Sequence, residues 1–131
     1  MPHDVRTHRT TLLTPDGWTL TLHRALRAGR AAAGPPVLLV HGYGMNASIF
    51  GFHPRGPSFL QALYDAGLDP WTVDLRGTST SRAPRGGRVT LLDQARVDIP
   101  ATLDHIARLT AHPRVHAIGC SLGGALLYAH A

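Results

Sequence analysis

Neither lysine nor glutamate occurs in this 131-residue sequence: its 13 basic residues are all arginine and its 8 acidic residues all aspartate. Such a one-sided choice of charged residue reads as the codon bias of a GC-rich genome. A formal net charge of +5 would otherwise direct attention to nucleic acid or anionic surfaces. The arginines, however, are dispersed from Arg6 to Arg114, and the densest run, Arg82-Ala83-Pro84-Arg85-Gly86-Gly87-Arg88, has no interleaved aromatic ring on which a base could stack. A solvated loop is expected there, and no nucleic-acid partner. Cys120 is the single cysteine, which excludes an internal disulfide and a cysteine-rich zinc site. The histidines at 3, 8, 23, 41, 53, 105, 112 and 116 show no metal-ligand spacing, so no metal and no cofactor is expected. No apolar run approaches the roughly 18 residues of a membrane helix, so stable membrane insertion is not expected. The opening Met1-Pro2-His3-Asp4-Val5-Arg6 lacks a basic stretch followed by an apolar core, and the chain reads as cytoplasmic.

What is present is an alternation of short strand and helix signals within one domain-sized length, residues 1–131. Two β-rich runs flank the turn residues Thr14-Pro15-Asp16-Gly17 and predict a hairpin over 8–24. After an Ala- and Gly-rich linker from Arg27 to Pro36, Val37-Leu38-Leu39-Val40 is an unbroken apolar run, as expected of a strand covered on both faces. Helical spacing of Phe59, Leu60, Leu63 and Tyr64 follows, with Gly67 where a helix would stop. Trp71-Thr72-Val73 predicts a strand, and Thr90 to Thr110 a helical region with Pro100 near a helix start or kink. Val115 to Ile118 predicts a further strand, and Leu122 opens a last helix. The order implies an α/β fold on a mostly parallel sheet with an antiparallel N-terminal hairpin.

Three motifs carry chemistry. Gly119-Cys120-Ser121-Leu122-Gly123 fits Gly-x-Ser-x-Gly at a strand-to-helix turn, where flanking glycines let backbones approach and a helix N-terminus favours developing negative charge. A plain helix-capping serine in a glycine-rich turn is the alternative. His41-Gly42-Tyr43-Gly44-Met45 directly follows the central strand, within the segment 36–47, and Asp74-Leu75-Arg76-Gly77-Thr78-Ser79-Thr80-Ser81 follows the strand at Trp71. Gly42 to Ala47 also fits a Gly-x-Gly-x-x-Ala dinucleotide fingerprint, with Asp74 as the ribose-binding acid. That reading needs a helix to open at the glycines, where Gly51 to Pro57 would interrupt it.

Taken in order, the three motifs resemble those of the α/β-hydrolase superfamily, and the resemblance runs from the hairpin to the elbow at 115–124. It implies the N-terminal part of that fold, truncated after the nucleophile elbow. By resemblance Ser121 is the nucleophile, and the backbone N–H groups of Tyr43 and Leu122 form an oxyanion hole. Gly119, Gly123 and Gly42 support the elbow and loop, His41 orients the loop, and Cys120 is a packing residue. Arg76 would bond loop carbonyls or Asp74, or alternatively an acidic substrate, and Ser79 departs from the family's glycine. Phe50, Phe52 and Trp71 could line an acyl pocket or pack as core or lid. The stretch from Phe50 to Pro54 is reminiscent of acid-lipase-like and synthase-like branches.

The resemblance implies a serine hydrolase acting on a small-molecule carboxylic ester, with lipid-like esters among the candidates, through an acyl-enzyme on Ser121. A serine nucleophile needs a base and a carboxylate to fix that base, and in this family both come later than the serine. Only ten residues follow Ser121 in the sequence, and His130 lies along the helix leaving the elbow. The chain is therefore expected to be inactive alone, with a separate chain supplying the missing half as one arrangement. The alternatives are a non-catalytic binding or regulatory module with a hydrolase-derived fold and the dinucleotide-binding domain.

Overall fold

A computed structural model of the chain describes residues 4–131; Met1 to His3, part of the amino-terminal stretch read above, lie outside the described residues. Strands β1 (Val5–Leu13) and β2 (Thr19–Arg27) pair antiparallel from Val5 opposite Arg27 to Leu13 opposite Thr19. The turn between them closes through Thr14, whose hydroxyl accepts from the Trp18 N–H at 2.9 Å and donates to Asp16 at 2.6 Å. The strands run three residues past the expected 8–24 at each end. In β1 the reason is plain: this edge strand is exposed along most of its length, so its sequence VRTHRTTLL carries little apolar alternation.

Strand β3 (Pro36–Val40) pairs parallel with β4 (Asp69–Asp74) on one side and β5 (His116–Gly119) on the other, while β2 pairs antiparallel with β4. The sheet order is β1-β2-β4-β3-β5. Four strands thus run in one direction and β2 in the other. Every residue of β3 and β4 is buried. Alternate side chains of β3 serve two cores: Leu38 and Val40 join Trp71, Val73, Ile99 and Leu126 on one face, and Val37 and Leu39 join Phe50 and Leu60 on the other.

Helix α1 (Phe59–Asp65) covers the second face, its start capped by the Ser58 hydroxyl, which accepts from the Gln61 N–H at 3.1 Å. The first face is covered by a longer helical run. Helix α2 (Leu91–Asp93) passes into a π-helical turn at Gln94–Asp98 and then into α3 (Ile99–Thr110). Pro100 sits in the first turn of α3, directly after the π-helical turn, at the point where its missing N–H interrupts the ladder of the longer helical run. The wide turn before it brings Gln94, Ala95 and Asp98 to the buried side together. Helix α4 (Leu122–His130) starts directly after β5. Strand β5 is the sheet's other edge and is largely exposed, with Ile118 39% and Tyr128 of α4 88% accessible. Among the described residues no helix is long and apolar enough to cross a membrane.

Candidate functional site

The turn from β5 into α4 is built on glycines because backbones meet there. A Cβ on Gly119 would come within 2.5 Å of the Gly124 Cα, and one on Gly123 within 2.7 Å of the His41 carbonyl oxygen. Neither separation can be accommodated without moving main chain. The Cys120 N–H donates to the Val40 carbonyl at 2.9 Å, which locks the turn against the end of β3. Ser121 is pushed into φ 55° and ψ −115°, a conformation that L residues rarely adopt. Its side chain makes no capping hydrogen bond and is exposed, so it does not serve the bland role of a helix cap.

Gly42 stands against this turn: a Cβ there would lie 3.3 Å from the Ser121 Cβ and 3.1 Å from the Cys120 carbonyl oxygen. The loop after β3 therefore packs on the elbow itself. His41 holds that loop. It is 4% exposed, its Nε2 accepts from the Leu75 N–H at 3.2 Å, and its Nδ1 lies 2.9 Å from the Gly42 carbonyl oxygen. An Nε2 acceptor requires the proton on Nδ1, which then donates to Gly42; the tautomer follows from the bonds. With both nitrogens occupied, His41 orients the loop and has no lone pair left to act as a base. The N–H groups of Gly123, Gly124 and Ala125 are bonded within the turn, whereas Tyr43 and Leu122 carry no such bond there. Tyr43, Gly42 and Leu122 line one cleft of about 580 Å³ with His41, Leu75 and Gln94. Of the sequence-predicted residues, His41, Gly42, Tyr43 and Leu122 line that cleft, while Gly119, Ser121 and Gly123 belong to the elbow against which Gly42 packs and are not part of the lining.

Arg76 meets one of its two expected partners: its Nη1 donates to the loop carbonyl of Arg88 at 3.4 Å, and it makes no bond to Asp74. Its Nε donates to Asp98 Oδ1 at 3.0 Å, its Nη1 lies 2.8 Å from Asp16 Oδ2, and its guanidinium stacks over the Trp18 ring at 5.3 Å. The Arg76 main chain is held as well, with its N–H on Asp98 Oδ2 at 3.0 Å and its carbonyl accepting from Gln94 Nε2 at 3.2 Å. At 2% exposure, fully partnered, Arg76 is a structural tie between the hairpin turn and the π-helical turn and has no charge to offer a substrate. The Arg76 hydrogen bond holds the Asp16 carboxyl below its usual range despite partial burial. Burial pushes the Asp98 carboxyl up, against the pull of Arg76.

Asp74 in turn accepts from the Ala47 N–H and the Thr80 hydroxyl, each at 2.7 Å, and so clamps the two loops that bracket the cleft. It is 4% exposed, and each of its two oxygens is engaged by one of these loops. Gly42 to Asn46 lead into a single 3-10 turn at Ala47–Phe50, so the helix that a dinucleotide site needs does not open there. Phe50 and Trp71 are buried in separate cores and Phe52 is 73% exposed; none lines the cleft. Cys120 is exposed and not packed, because β5 has no neighbour on its outer side among the described residues. His130 lies exposed at the end of α4. Among the described residues no group of three or more His, Cys or Asp side chains is disposed to hold a metal ion. Sequence reasoning missed Asp16, Asp98 and Gln94, which no local pattern connects to Arg76.

Comparison with known proteins adds the family. The model of a family described as the alpha/beta hydrolase family matches residues 37–131. Lipase 1 of Drosophila melanogaster is 34% identical over 125 residues, covering 84% of this chain and 26% of the lipase. Human lipase member K is 30% identical over 127 residues, covering 88% of this chain and 32% of the relative. The chain thus spans about a third or less of the curated relatives it matches. Among solved structures, an epoxide hydrolase from Vigna radiata superposes with a TM-score of 0.72 at 19% identity, over 95% of this chain and 33% of that one. An esterase from Pyrococcus furiosus gives 0.71 at 15% identity, over 93% and 44%. At these identities the two structures speak for the fold.

Proposed function

Since the chain belongs to the alpha/beta hydrolase family, we propose that it supplies the nucleophile and oxyanion hole of a serine hydrolase that cleaves carboxylic esters. Ser121 Oγ attacks the ester carbonyl carbon, the carbonyl oxygen becomes an oxyanion, and the N–H groups of Tyr43 and Leu122 stabilise it. Collapse of the tetrahedral intermediate expels the alcohol and leaves an acyl-enzyme on Ser121, which water then hydrolyses. Each oxyanion-hole donor of this kind is worth about a hundredfold or more in rate. The observation that carries the reading is Ser121 itself: strained at positive φ, uncapped, exposed, and in contact with the glycine of the neighbouring loop. A serine that only closed a helix would have no reason to be held so.

A triad order in which the base and its carboxylate follow the serine supports this reading, and His41 is already committed to the loop. Both groups are therefore assigned to chain outside these residues, joined to them or separate. Lipase names among the relatives favour lipid-like esters as substrates. Hydrolysis of p-nitrophenyl butyrate tests the proposal. Residues 1–131 alone should give negligible turnover, and the protein extended by the length its relatives possess should turn the ester over until Ser121→Ala abolishes it. Robust turnover by residues 1–131 alone, lost in Ser121→Ala, would place the base inside them and overturn this division of labour.

A further inference from the structure

One wall of the cleft carries polar atoms that nothing in the fold uses. Gln94 is 8% exposed and lines the cleft. Its Nε2 must face the Arg76 carbonyl, an acceptor 3.2 Å away, which fixes the amide so that Oε1 is the other atom. That Oε1 is shielded from solvent and has no hydrogen-bond partner among the described residues. The Thr78 hydroxyl, from the loop that forms the same wall, is shielded and unpartnered as well. An orphaned buried acceptor is disfavoured by about 1–3 kcal/mol, and a native fold retains one where something else completes it. The cover is light. Val89, which packs over Gly77 on this wall, is 54% exposed and lies in irregular chain, so a ligand can displace it with little loss.

We infer that Gln94, assisted by Thr78, is a specificity-determining residue that accepts a hydrogen bond from a hydroxyl group of the bound molecule, so that the cleft selects hydroxylated esters over plain alkyl esters of the same length. The inference rests on the hydrolase reading for its ester chemistry and on the two unpaired atoms for its selectivity. An alkyl ligand filling the cleft would leave Oε1 buried and unpaired, and a site built around a hydrogen bond discriminates against the analogue that lacks it.

The test uses two unreactive amides that have no N–H donor and differ only in a hydroxyl, N,N-dimethyl-3-hydroxybutanamide and N,N-dimethylbutanamide, titrated into the protein by calorimetry with the Gln94 side-chain amide followed by NMR. The hydroxylated amide should bind about tenfold more tightly than the plain one, shift the Gln94 amide resonance, and lose that advantage in Gln94→Met. Because Gln94→Met also removes the donor to the Arg76 carbonyl, Thr78→Val serves as a second variant that leaves that bond in place; it should lower the preference about threefold. Equal affinity for the two amides, no saturable binding of either, or a preference that survives both substitutions overturns the inference. In the protein extended to the length of its relatives, a binding preference without ester turnover would remove only the hydrolase reading, and turnover without the preference only this inference.

Discussion

Replacing Ser121 by alanine and, separately, by glycine isolates the strain at the elbow. Both substitutions remove the hydroxyl, and they differ in whether a Cβ must be held at φ 55° and ψ −115°. A non-glycine residue in such a region costs about 1–3 kcal/mol, and the greater freedom of glycine in the unfolded chain returns about 0.5–1 kcal/mol of that. Ser121→Gly should therefore be about 1 kcal/mol more stable than Ser121→Ala, or about 3–5 °C in Tm for a domain of this size. The Ser121 hydroxyl caps nothing, so Ser121→Ala itself should stay within about 0.5 kcal/mol of the parent, whereas a capping serine would lose about 1 kcal/mol. Thermal unfolding followed by circular dichroism, with urea midpoints as a second measure, reads all three proteins. A glycine variant no more stable than the alanine variant would show that the turn is relaxed and that the strain argument is wrong.

Gly123→Ala should be severely destabilising, by about 3 kcal/mol or more, because the new Cβ would press within 2.7 Å of the His41 carbonyl oxygen; a urea midpoint unchanged from the parent would contradict it. Arg76→Met strands the Asp98 carboxylate, 0% exposed, and should cost about 3–5 kcal/mol, so a loss under about 1 kcal/mol in denaturant titration would refute the tie. Burial holds the His23 and His105 imidazoles below the usual histidine range, so the fold favours their neutral forms. Their contribution is whole above about pH 6.5 and is lost as pH falls through that value toward the lower folded pKa. Tm should accordingly drop between pH 7.5 and pH 5 and drop less in His23→Gln; a flat or rising Tm would contradict the assignment.

How much of this was legible in the sequence depends on how local the cause is. The elbow was readable because Gly119 and Gly123 are imposed by backbone contacts within the motif and against β3. Strand β3 was readable because burial on both faces writes an uninterrupted apolar run. The ends of β1 were not, since an exposed edge strand imposes no alternation. The π-helical turn was invisible for a different reason: its sequence, Gln94 to Asp98, is ordinary helix, and only the contacts made by Asp98 and Gln94 reveal the wider turn. Arg76 was singled out by its motif, but its partners lie 60 residues before and 22 after it, so the pairing with Asp16 and Asp98 had no local trace. Cys120, read as a packing residue, is exposed beside the outer edge of β5 among the described residues.

The central claim is that Ser121 is a nucleophile. A fluorophosphonate probe tests it most directly, since an activated serine attacks phosphorus, displaces fluoride and keeps the phosphonyl group through a stable bond. Applied to the protein at the full length of its relatives and followed by mass spectrometry of the digested adduct, the probe should be found on the peptide spanning the elbow, at Ser121, and be absent from Ser121→Ala. An adduct on Cys120 or on any other serine, or none where the ester is turned over, would contradict the account.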